Sequence, residues 1–467
     1  MSRFGTVVLL LCLAAPVPVA ARTSAAAELP ACAANICDLT LKDAIGLALT
    51  RNRPLLNSRL DREAQRFSLK VAEDRWSPRV TVGPFASRDR RDYKAGVGAR
   101  TMLRVPTGGA FALGWDETLS RRFDGAGSQT FSFSQPLLKG AWAGIDSATV
   151  RQARLEERNN GLAFRRTAAD LVVAVIGAYR ALIGAIRQVE IGEASLQRAR
   201  EQLDATRALI GAGAVAEREA GRSEAAIANR ELAAVRARNR LEAAQFALID
   251  ILELDSRIRI RPLETLKAGP RDAAFAPTLE DVLQQRADYL QAGLRVEIAR
   301  IALTVARNNL LPDLALSFQW THNDTGRTDS LVRMDATVPL NDRAPALAHL
   351  RARNALRKAE RNVVELRASI ATALRQAVND VEVGLRLAEL ARGARALAER
   401  NLAVEEAKFG QGLSSTFEVA SSEEELVRAE QAEADAIVSY LDALTRLDRT
   451  AGRTLDRWDV RLESAAP

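Results

Sequence analysis

Side chains that could carry reactive chemistry are few in this sequence. Its 467 residues include two histidines and three cysteines. A metal centre or an activated nucleophile needs several converging groups, and neither His322 nor His349 has a cysteine or a second histidine near it in the sequence. The glutamate and arginine pairs at helical spacing are typical of surface ion pairs, and no phosphate-binding or dinucleotide-binding motif is present. The sequence therefore predicts no catalytic site, no metal site and no cofactor.

The cysteines indicate a compartment rather than a reaction. Cys12 falls within residues 1–21, where a basic start, an apolar run and small residues predict a secretory signal peptide. Outside the cytoplasm, Cys32 and Cys37 are expected to form a small disulfide loop. The alternative is a lipid anchor on Cys32, because residues 29–32 loosely resemble a lipoprotein cleavage box. Charged residues just before that box favour the disulfide.

Charge and composition narrow the class of protein. The 66 basic and 59 acidic residues give a net charge of +7, and a basic balance can indicate nucleic-acid binding. Here the arginines are scattered without interleaved aromatic residues, so no nucleic-acid partner is predicted. After the signal peptide no run of eighteen apolar residues is present, so no membrane-spanning helix is expected. A membrane-bound form would have to use strands.

Residues 141–210 contain no proline and predict one very long helix. Apolar residues recur every seventh position at Val175, Leu182, Val189, Leu196, Leu203 and Ile210. Such a repeat needs a partner helix along its length. A break at Gly211 and Gly213 is followed by a second seven-residue pattern, which predicts a return helix over 215–254. The prediction is a helical hairpin roughly 105 Å long, at about 1.5 Å per residue.

The region before this helix alternates instead. Thr40 opens an amphipathic helix that should end at Pro78, and residues 79–135 alternate apolar and polar side chains up to Pro136. A period of two predicts strands with one apolar and one polar face. Trp115 and Trp320 could form an aromatic girdle at a membrane surface, or could simply pack across strands.

The same order of parts occurs twice. Repeat 1 covers 39–262 and repeat 2 covers 278–453. The parts predicted for repeat 2 are strands at 313–338 between Pro312 and Pro339, a long helix at 341–410, a break at Gly410 and Gly412, and a return helix at 413–451. The flanking parts are an N-terminal segment at 22–38, a linker at 263–277 and a C-terminal tail at 454–467. Glu219 corresponds to Glu418 at a constant offset, which supports a tandem duplication.

The two strand regions differ in length. The segment between Pro78 and Pro136 is much longer than the one between Pro312 and Pro339. If these strands cross a membrane and both prolines of a pair lie at the same side of it, the number of strands between them is even. Repeat 1 then has two or four strands, and Val105–Gly109 lies where an additional turn would be. A further hairpin would widen a barrel or pack beside it.

Several short motifs, in this order and repeated, resemble the TolC-like outer membrane efflux proteins, also called outer membrane factors. They are Leu39-Thr40-Leu41 with Ala44 and Ala48, Ser77-Pro78, Gln135-Pro136-Leu137-Leu138 with Gly140, and the run from Phe409 to Ser414. The resemblance covers about 38–453. It implies a mainly α fold with a β-barrel part, in which long antiparallel coiled-coil hairpins form a periplasmic tunnel and short transmembrane strands close the barrel as a homotrimer. A family member normally has two strands in each half.

The resemblance also implies a function and its residues. The protein would be a passive outer-membrane duct of a tripartite efflux or type I secretion system, embedded in outer-membrane lipid and linked to an inner-membrane transporter by a periplasmic adaptor protein. The implied adaptor-contact tips are Gly211, Gly213, Glu219, Gly410, Gly412, Leu413, Ser414, Ser415 and Glu418. The implied joints between barrel and tunnel are Pro78, Pro136, Pro312 and Pro339.

Two other classes remain open at this stage. A periplasmic adaptor is itself a helical hairpin with β parts, but it should carry a lipoyl-like domain, and duplicated strand blocks bounded by prolines argue against one. A structural coiled-coil scaffold would have no need for the strands. Nothing in the sequence indicates the cargo.

Overall fold

The computed structural model describes residues 32–33, 36–88, 93–118, 127–213, 215–265, 267, 269, 277–323 and 326–462. The predicted signal peptide, including Cys12, lies outside these residues. So do much of the predicted linker and the last five residues of the predicted tail.

The first half of the chain contains helices, four long strands and a helical hairpin. Its elements are β1 Cys32–Ala33, β2 Ile36–Leu39, α1 Leu41–Arg51, α2 Arg53–Glu73, β3 Arg79–Arg88, β4 Tyr93–Arg104, β5 Ala110–Thr118, β6 Ser128–Pro136, α3 Ala143–Asp146, α4 Ala148–Gly211, α5 Arg218–Leu252 and β7 Arg259–Pro262. The 64 residues of α4 give a rod about 96 Å long.

The second half has the same order of parts with two long strands. Its elements are α6 Leu279–Gln285, α7 Ala287–Asn308, β8 Asp313–Asn323, β9 Thr328–Thr337, α8 Ala344–Gly410, α9 Thr416–Thr450 and α10 Thr454–Arg457. The 67 residues of α8 span about 100 Å. In each half the long helix packs on the return helix and on an opening helix: α4 on α5 and α2, and α8 on α9 and α7.

The opening helices are each divided, where the sequence analysis expected one continuous helix. In the first half the division lies at Asn52, because Pro54 has no N–H to continue the hydrogen bonds of α1 and its ring would crowd the carbonyl four residues earlier. In the second half the division lies at Arg286. The guanidinium of Arg286 donates hydrogen bonds to the Asp288 carboxylate and to the carbonyl of Thr450. Both openings are capped by the predicted threonines: Thr40 in a full capping box, and Thr278 by accepting from the backbone N–H of Asp281.

The long helix of the first half also begins later than predicted. Trp142 has a left-handed backbone with φ +81°, and the four residues of α3 precede α4. The interruption places the carboxylate of Asp146 against Arg75 and Trp76. The absence of proline from residues 141–210 therefore did not predict where α4 begins.

One stretch of the long helix bears on the expectation about membrane-spanning helices. Among the described residues, the helical region Ala143–Gly211 contains a window that is long and apolar enough to cross a membrane by length and composition. Several of its apolar side chains are buried inside the chain, including Val172, Ile176 and Leu182. They pack on α1, on the end of α5 and on Leu455 of α10, so this part of the helix contributes to the core of the chain.

A small three-stranded sheet is attached to this core. β2 pairs with β1 in antiparallel fashion and with β7 in parallel fashion. Tyr179 donates a hydrogen bond to the carbonyl of Leu39 at 2.8 Å, and burial raises the pKa of its phenol. The start of the first repeat is thereby tied to its end.

Candidate functional site

The six long strands form one antiparallel sheet in the order β3-β4-β5-β6-β8-β9. The longer strand region thus contains four strands, which resolves the choice between two and four. Strands β6 and β8 join the two halves of the chain, with Phe133 opposite Phe318. Within the described residues, β3 and β9 pair on one side only, so the sheet has two open edges.

The register gives this sheet two different faces. Side chains alternate along a strand, and residues paired across strands lie on the same face. One face carries mainly apolar residues: Val80, Val82, Val97, Ala99, Leu103, Phe111, Leu113, Trp115, Phe131, Phe133, Leu316, Phe318, Trp320, Val332 and Met334. The other face is mainly polar and includes Thr81, Arg100, Asp116, Thr130, Ser132, Ser134, Ser317, Gln319, Arg333 and Asp335.

The apolar face is uncovered within the chain. Val82 is 69% exposed and Met334 is 67% exposed. The strands have 9 to 12 residues, close to the 9–11 or so that a tilted strand needs to cross a bilayer. An exposed apolar face of this size and length fits contact with lipid.

Aromatic rings line this face near its centre. The rings of Phe111 and Phe133 stack at 4.5 Å between centroids, and Phe131 lies 6.2 Å from Phe318. Trp320 stacks on His322 at 5.9 Å, and the Nδ1 atom of His322 bonds Thr328 Oγ1 at 2.9 Å. Across the described part of the chain, no three metal-ligating side chains come together.

The turn between β4 and β5 rests against the end of β6. Thr107 Oγ1 donates to Gln135 Oε1 and the amide of Gln135 donates to the Thr107 carbonyl, both at 3.0 Å. Gly108 has φ +90°, and a Cβ there would lie 2.2 Å from the carbonyl oxygen of Gly140. Glycine is thus required at position 108 both by backbone conformation and by space.

The four predicted joint prolines lie next to strands. Pro78 precedes β3, Pro136 is the last residue of β6, Pro312 precedes β8, and Pro339 follows β9 closely. Their role as joints remains a prediction.

Two polar side chains that the sequence analysis missed tie the ends of these strands to the helices. Asp146 accepts from Arg75 Nη2 and from Trp76 Nε1, both at 2.8 Å, and is 8% exposed. Asn308 accepts from the Gly140 backbone N–H at 2.8 Å, which joins the two halves of the chain. Their partners lie 70 to 168 residues away in sequence, so no local pattern could have revealed them.

The helix turns at the far ends of the rods have similar backbone signatures. Gly213 and Gly412 have φ +71° and +74°. In the second turn Gly412 N–H donates to the Phe409 carbonyl and Leu413 N–H to the Lys408 carbonyl, each at 2.9 Å. This pattern is a Schellman C-cap after Gly410, and Leu413 is left 74% exposed. The first turn ends α4 at Gly211.

The corresponding glutamates of the two turns act differently. Glu418 caps its own helix, accepting from the backbone N–H of Ser415 at 2.9 Å and from Ser414 Oγ at 3.0 Å. Glu219 instead accepts from Thr416 Oγ1 of the other turn at 2.6 Å. The structure therefore brings the two predicted tips together through Glu219, whose role in adaptor contact stays a prediction.

These contacts hold the tip carboxylates in their ionised forms. Hydrogen bonds from Ser415 and Ser414 lower the pKa of Glu418. The hydroxyl of Thr416 and the neighbouring Arg222 lower the pKa of Glu219. Both carboxylates are therefore ionised near neutral pH, and Arg218 and Arg222 form ion pairs with Glu219.

A buried ion cluster, also missed by the sequence analysis, connects the two rods above the tips. Glu423 of α9 is 5% exposed and lies 2.7 Å from Arg230 Nη2 of α5 and 3.4 Å from Arg198 Nε of α4. Ser195 Oγ also donates to it at 3.3 Å. Burial raises the pKa of Glu423 against the opposing effect of the two arginines. At the same offset that relates Glu219 to Glu418, this residue corresponds to Glu224, which is an exposed partner of Arg207.

Two stripes of exposed apolar side chains run along the helices. Helix α8 presents Val364, Val383, Leu387, Leu390, Leu397 and Val404. Helices α2 and α5 present Leu60, Phe67, Val71, Leu232, Val235 and Phe246. The seven-residue pattern on α8 thus faces outward, whereas Val175, Leu182 and Leu203 of α4 are buried within the chain.

The cysteine prediction concerns the N-terminal hairpin. Cys37 is disulfide-bonded, and its partner across the β1–β2 register is Cys32. The predicted pairing of the two stays a prediction.

Several solved structures with a similar fold are outer-membrane channels. The Campylobacter jejuni CmeC outer membrane channel matches with a TM-score of 0.71 at 15% identity, covering 89% of this chain and 86% of that one. The Vibrio cholerae outer membrane protein VceC matches with a TM-score of 0.69 at 15% identity, covering 88% and 96%. The open state of the Neisseria gonorrhoeae MtrE outer membrane channel gives 0.68 at 16%, covering 90% and 91%. Long helical rods that carry a sheet with an apolar face therefore define this chain as having an outer-membrane channel fold.

A sequence comparison points to the same class of protein. Residues 44–252 match the family model described as outer membrane efflux protein, a range that ends with α5. The predicted resemblance to the TolC-like outer membrane efflux proteins is thus confirmed over this range, and the predicted location in the outer membrane with a periplasmic extension agrees with it. The family and its structural neighbours are channel proteins rather than enzymes. No curated protein matches the chain in sequence.

Proposed function

We propose that three copies of this chain form a passive duct through the outer membrane, as the exit component of a tripartite efflux or type I secretion system. The observation that carries this proposal is the sheet with two open edges and one exposed apolar face. In lipid, each unpaired backbone N–H or C=O group at an open edge costs several kcal/mol. Closure by further copies of the chain removes those edges.

The directions of the edge strands fit such closure. With six antiparallel strands in sequence, β3 and β9 run in opposite directions, so β9 of one copy can pair with β3 of the next in the antiparallel sense of the rest of the sheet. The apolar faces then continue from copy to copy. That the ring holds three copies rests on the family resemblance.

The exposed stripes on the helices support the same assembly. Apolar residues on α8 at helical spacing need a partner helix, and α2 and α5 of a neighbouring copy offer apolar residues of the same kind. Helices packed side by side around an axis would surround a tunnel that continues the barrel. The tips at Gly211–Glu219 and Gly410–Glu418 would meet a periplasmic adaptor, and the inner-membrane transporter would supply the energy.

A periplasmic adaptor and a structural scaffold are less well supported. Neither class accounts for a sheet whose apolar face lies exposed on strands of bilayer length. The helices of one chain also leave apolar stripes exposed, and a scaffold would need a further partner to cover them.

The first test is cellular. We expect the protein in the outer-membrane fraction, migrating as a trimer that heat dissociates, and we expect deletion of its gene to sensitise cells to drugs or metals. Recovery as a monomer from the soluble periplasmic fraction would contradict the proposal.

A second test examines the partner at the tips. A photo-cross-linking residue at Leu413 should capture a periplasmic adaptor in cells, because this side chain is 74% exposed at a helix turn. The matched control is Val364, 71% exposed on the same hairpin but roughly 70 Å from the tip at about 1.5 Å per residue. Val364 should capture only further copies of this chain. Equal adaptor capture at both positions would contradict contact through the tips.

A further inference from the structure

The strands β4 and β5 raise a question that the proposed duct leaves open. They are the inner pair of the first strand region, joined at the Val105–Gly109 turn. A wall built without them would have four strands in each chain. We propose that β4 and β5 are full members of the membrane wall, so that the closed ring has eighteen strands; this inference rests on the proposed trimer.

The hydrogen-bonded register is the first support. β4 pairs with β3 from Tyr93 to Met102, and with β5 from Gly96 to Arg104. β5 then pairs with β6 from Ala110 to Asp116. Among the described residues no pairing joins β3 directly to β6, so removing the inner pair would cut the sheet in two.

The distribution of side chains is the second support. On β4 and β5, Val97, Ala99, Leu113 and Trp115 fall on the same face as the apolar residues of the outer strands. Leu113 is 55% exposed and Trp115 is 44% exposed. A hairpin lying in water beside the barrel would not be stabilised by a row of exposed apolar side chains, whereas a strand in lipid requires one.

The polar face of β4 is fitted closely to its neighbours. A Cβ at Gly96 would lie 2.7 Å from the ring of Phe85 on β3, and one at Gly98 would lie 2.3 Å from Asp116 Oδ1 on β5. Side chains from both neighbours thus cover glycines of β4, a device that pins register in curved sheets. The inner pair is locked into the sheet from both sides.

The turn between the two strands provides a further support. It is bound to Gln135 at the end of β6, and Gly108 packs against the backbone of Gly140. The hairpin is therefore fixed at the joint where the wall meets the helices. A hairpin outside the wall would not need a turn shaped to this joint.

The consequence is a wider pore. With strands about 4.8 Å apart and tilted by about 40°, eighteen strands enclose a ring roughly 36 Å across, measured between backbones, and twelve enclose roughly 24 Å. At eighteen strands a barrel leaves an aqueous channel rather than a filled interior. The outer-membrane segment would then not select cargo by size, which shifts that role toward the helical tunnel.

The test is a cysteine scan of β4 in the trimer reconstituted in lipid bilayers. Spin labels at Val97 and Ala99 should collide mainly with oxygen dissolved in lipid, and labels at Arg100 and Met102 mainly with a water-soluble nickel chelate. Strand β8 is the control, since it belongs to the wall in either arrangement: Phe318 should report lipid, and Ser317 and Gln319 water.

The outcomes separate this inference from the proposed duct. One result would be that labels on β8 alternate between lipid and water while all four labels on β4 report water. The inner pair then lies outside the wall and the inference fails, although the proposed duct stands. If the native mass of the solubilised protein is not that of three chains, the proposed duct fails first. End-on electron-microscopy images of the trimer give a second measurement: a barrel ring of roughly 36 Å supports the inference, and one of roughly 24 Å overturns it.

Discussion

Asp146 binds together the first joint between strands and helices. Replacing it with alanine should lower the free energy of unfolding by about 2 kcal/mol, because Arg75 and Trp76 would lose their acceptor in a place where Asp146 is nearly buried. The measurement is the thermal midpoint of the helical circular dichroism signal of the solubilised protein.

The matched control for Asp146→Ala is Asp380→Ala. Asp380 accepts a hydrogen bond from Gln376 on an exposed helix surface, and its loss should change stability by less than about 0.5 kcal/mol. Equal midpoints for the two variants would contradict the role assigned to Asp146.

The tip carboxylates should make the helix turns sensitive to acid. The pKa of Glu418 is lowered by its hydrogen bonds from a usual value of 4.5. A lowered pKa means that the stabilisation is present above that usual value and is lost as the pH falls through the lowered one. The backbone amide protons of Ser415 and Glu418 should therefore exchange faster in acid, after correction for the intrinsic effect of pH.

Hydrogen exchange detected by mass spectrometry on peptides covering the second turn measures this effect. Glu418→Gln is the control, since the amide keeps an acceptor for the capping box but carries no titrating charge. Its tip should respond less to pH than the parent tip. A parent tip whose exchange does not change between about pH 6 and about pH 3 would contradict the linkage.

Among the local elements, the turn between β4 and β5 depends most strictly on a glycine. Gly108→Ala should reduce the yield of folded trimer in the outer membrane, because it combines left-handed backbone strain with overlap on the Gly140 carbonyl. Gly213→Ala is the comparison: φ is +71° there as well, but no atom lies within 4 Å of the added Cβ. Strain alone should cost roughly 1–2 kcal/mol. Equal trimer yields would show that close packing at Gly108 is not needed.

The sequence predicts these elements unevenly, for physical reasons. The period of two reveals both faces of the strands before any pairing is known, and the glycines at 213 and 412 mark both turns. Whether the first region holds two strands or four depends on pairing with β3 and β6, which alternation alone does not encode. The division at Asn52 has a local signal in Pro54, whereas Arg286, where the second opening helix divides, bonds the carbonyl of Thr450, 164 residues away. Contacts over such separations also explain why Asp146, Asn308 and Glu423 were missed.

A single chain leaves two kinds of surface without a partner, in the sheet and along the helices. The sheet has two open edges, and the helices have apolar stripes on α8 and on α2 with α5. The large apolar side chains of α4 are instead buried or partly buried within the chain. Assembly around an axis satisfies the backbone groups at the edges and the apolar stripes together, which no internal rearrangement of one chain achieves without breaking the register of β3 to β9.

Closure between copies predicts a specific cross-link. A chain carrying Val332→Cys on β9 and a second cysteine on β3, at Val80, Val82 or Pro84 in turn, should oxidise to covalent products that end at three chains. The three positions test registers that differ by two residues and keep the same face, and a disulfide requires Cα atoms within about 7 Å.

The control for this cross-link pairs Val332→Cys with Leu113→Cys, because Leu113 lies on β5 with a neighbouring strand on each side. This pair should give no product between chains. If none of the three edge pairs links chains, or if products grow beyond three, then β9 and β3 do not close a ring of three. The strand edges would then have to be covered by another partner, and the duct built from copies of this chain would be excluded.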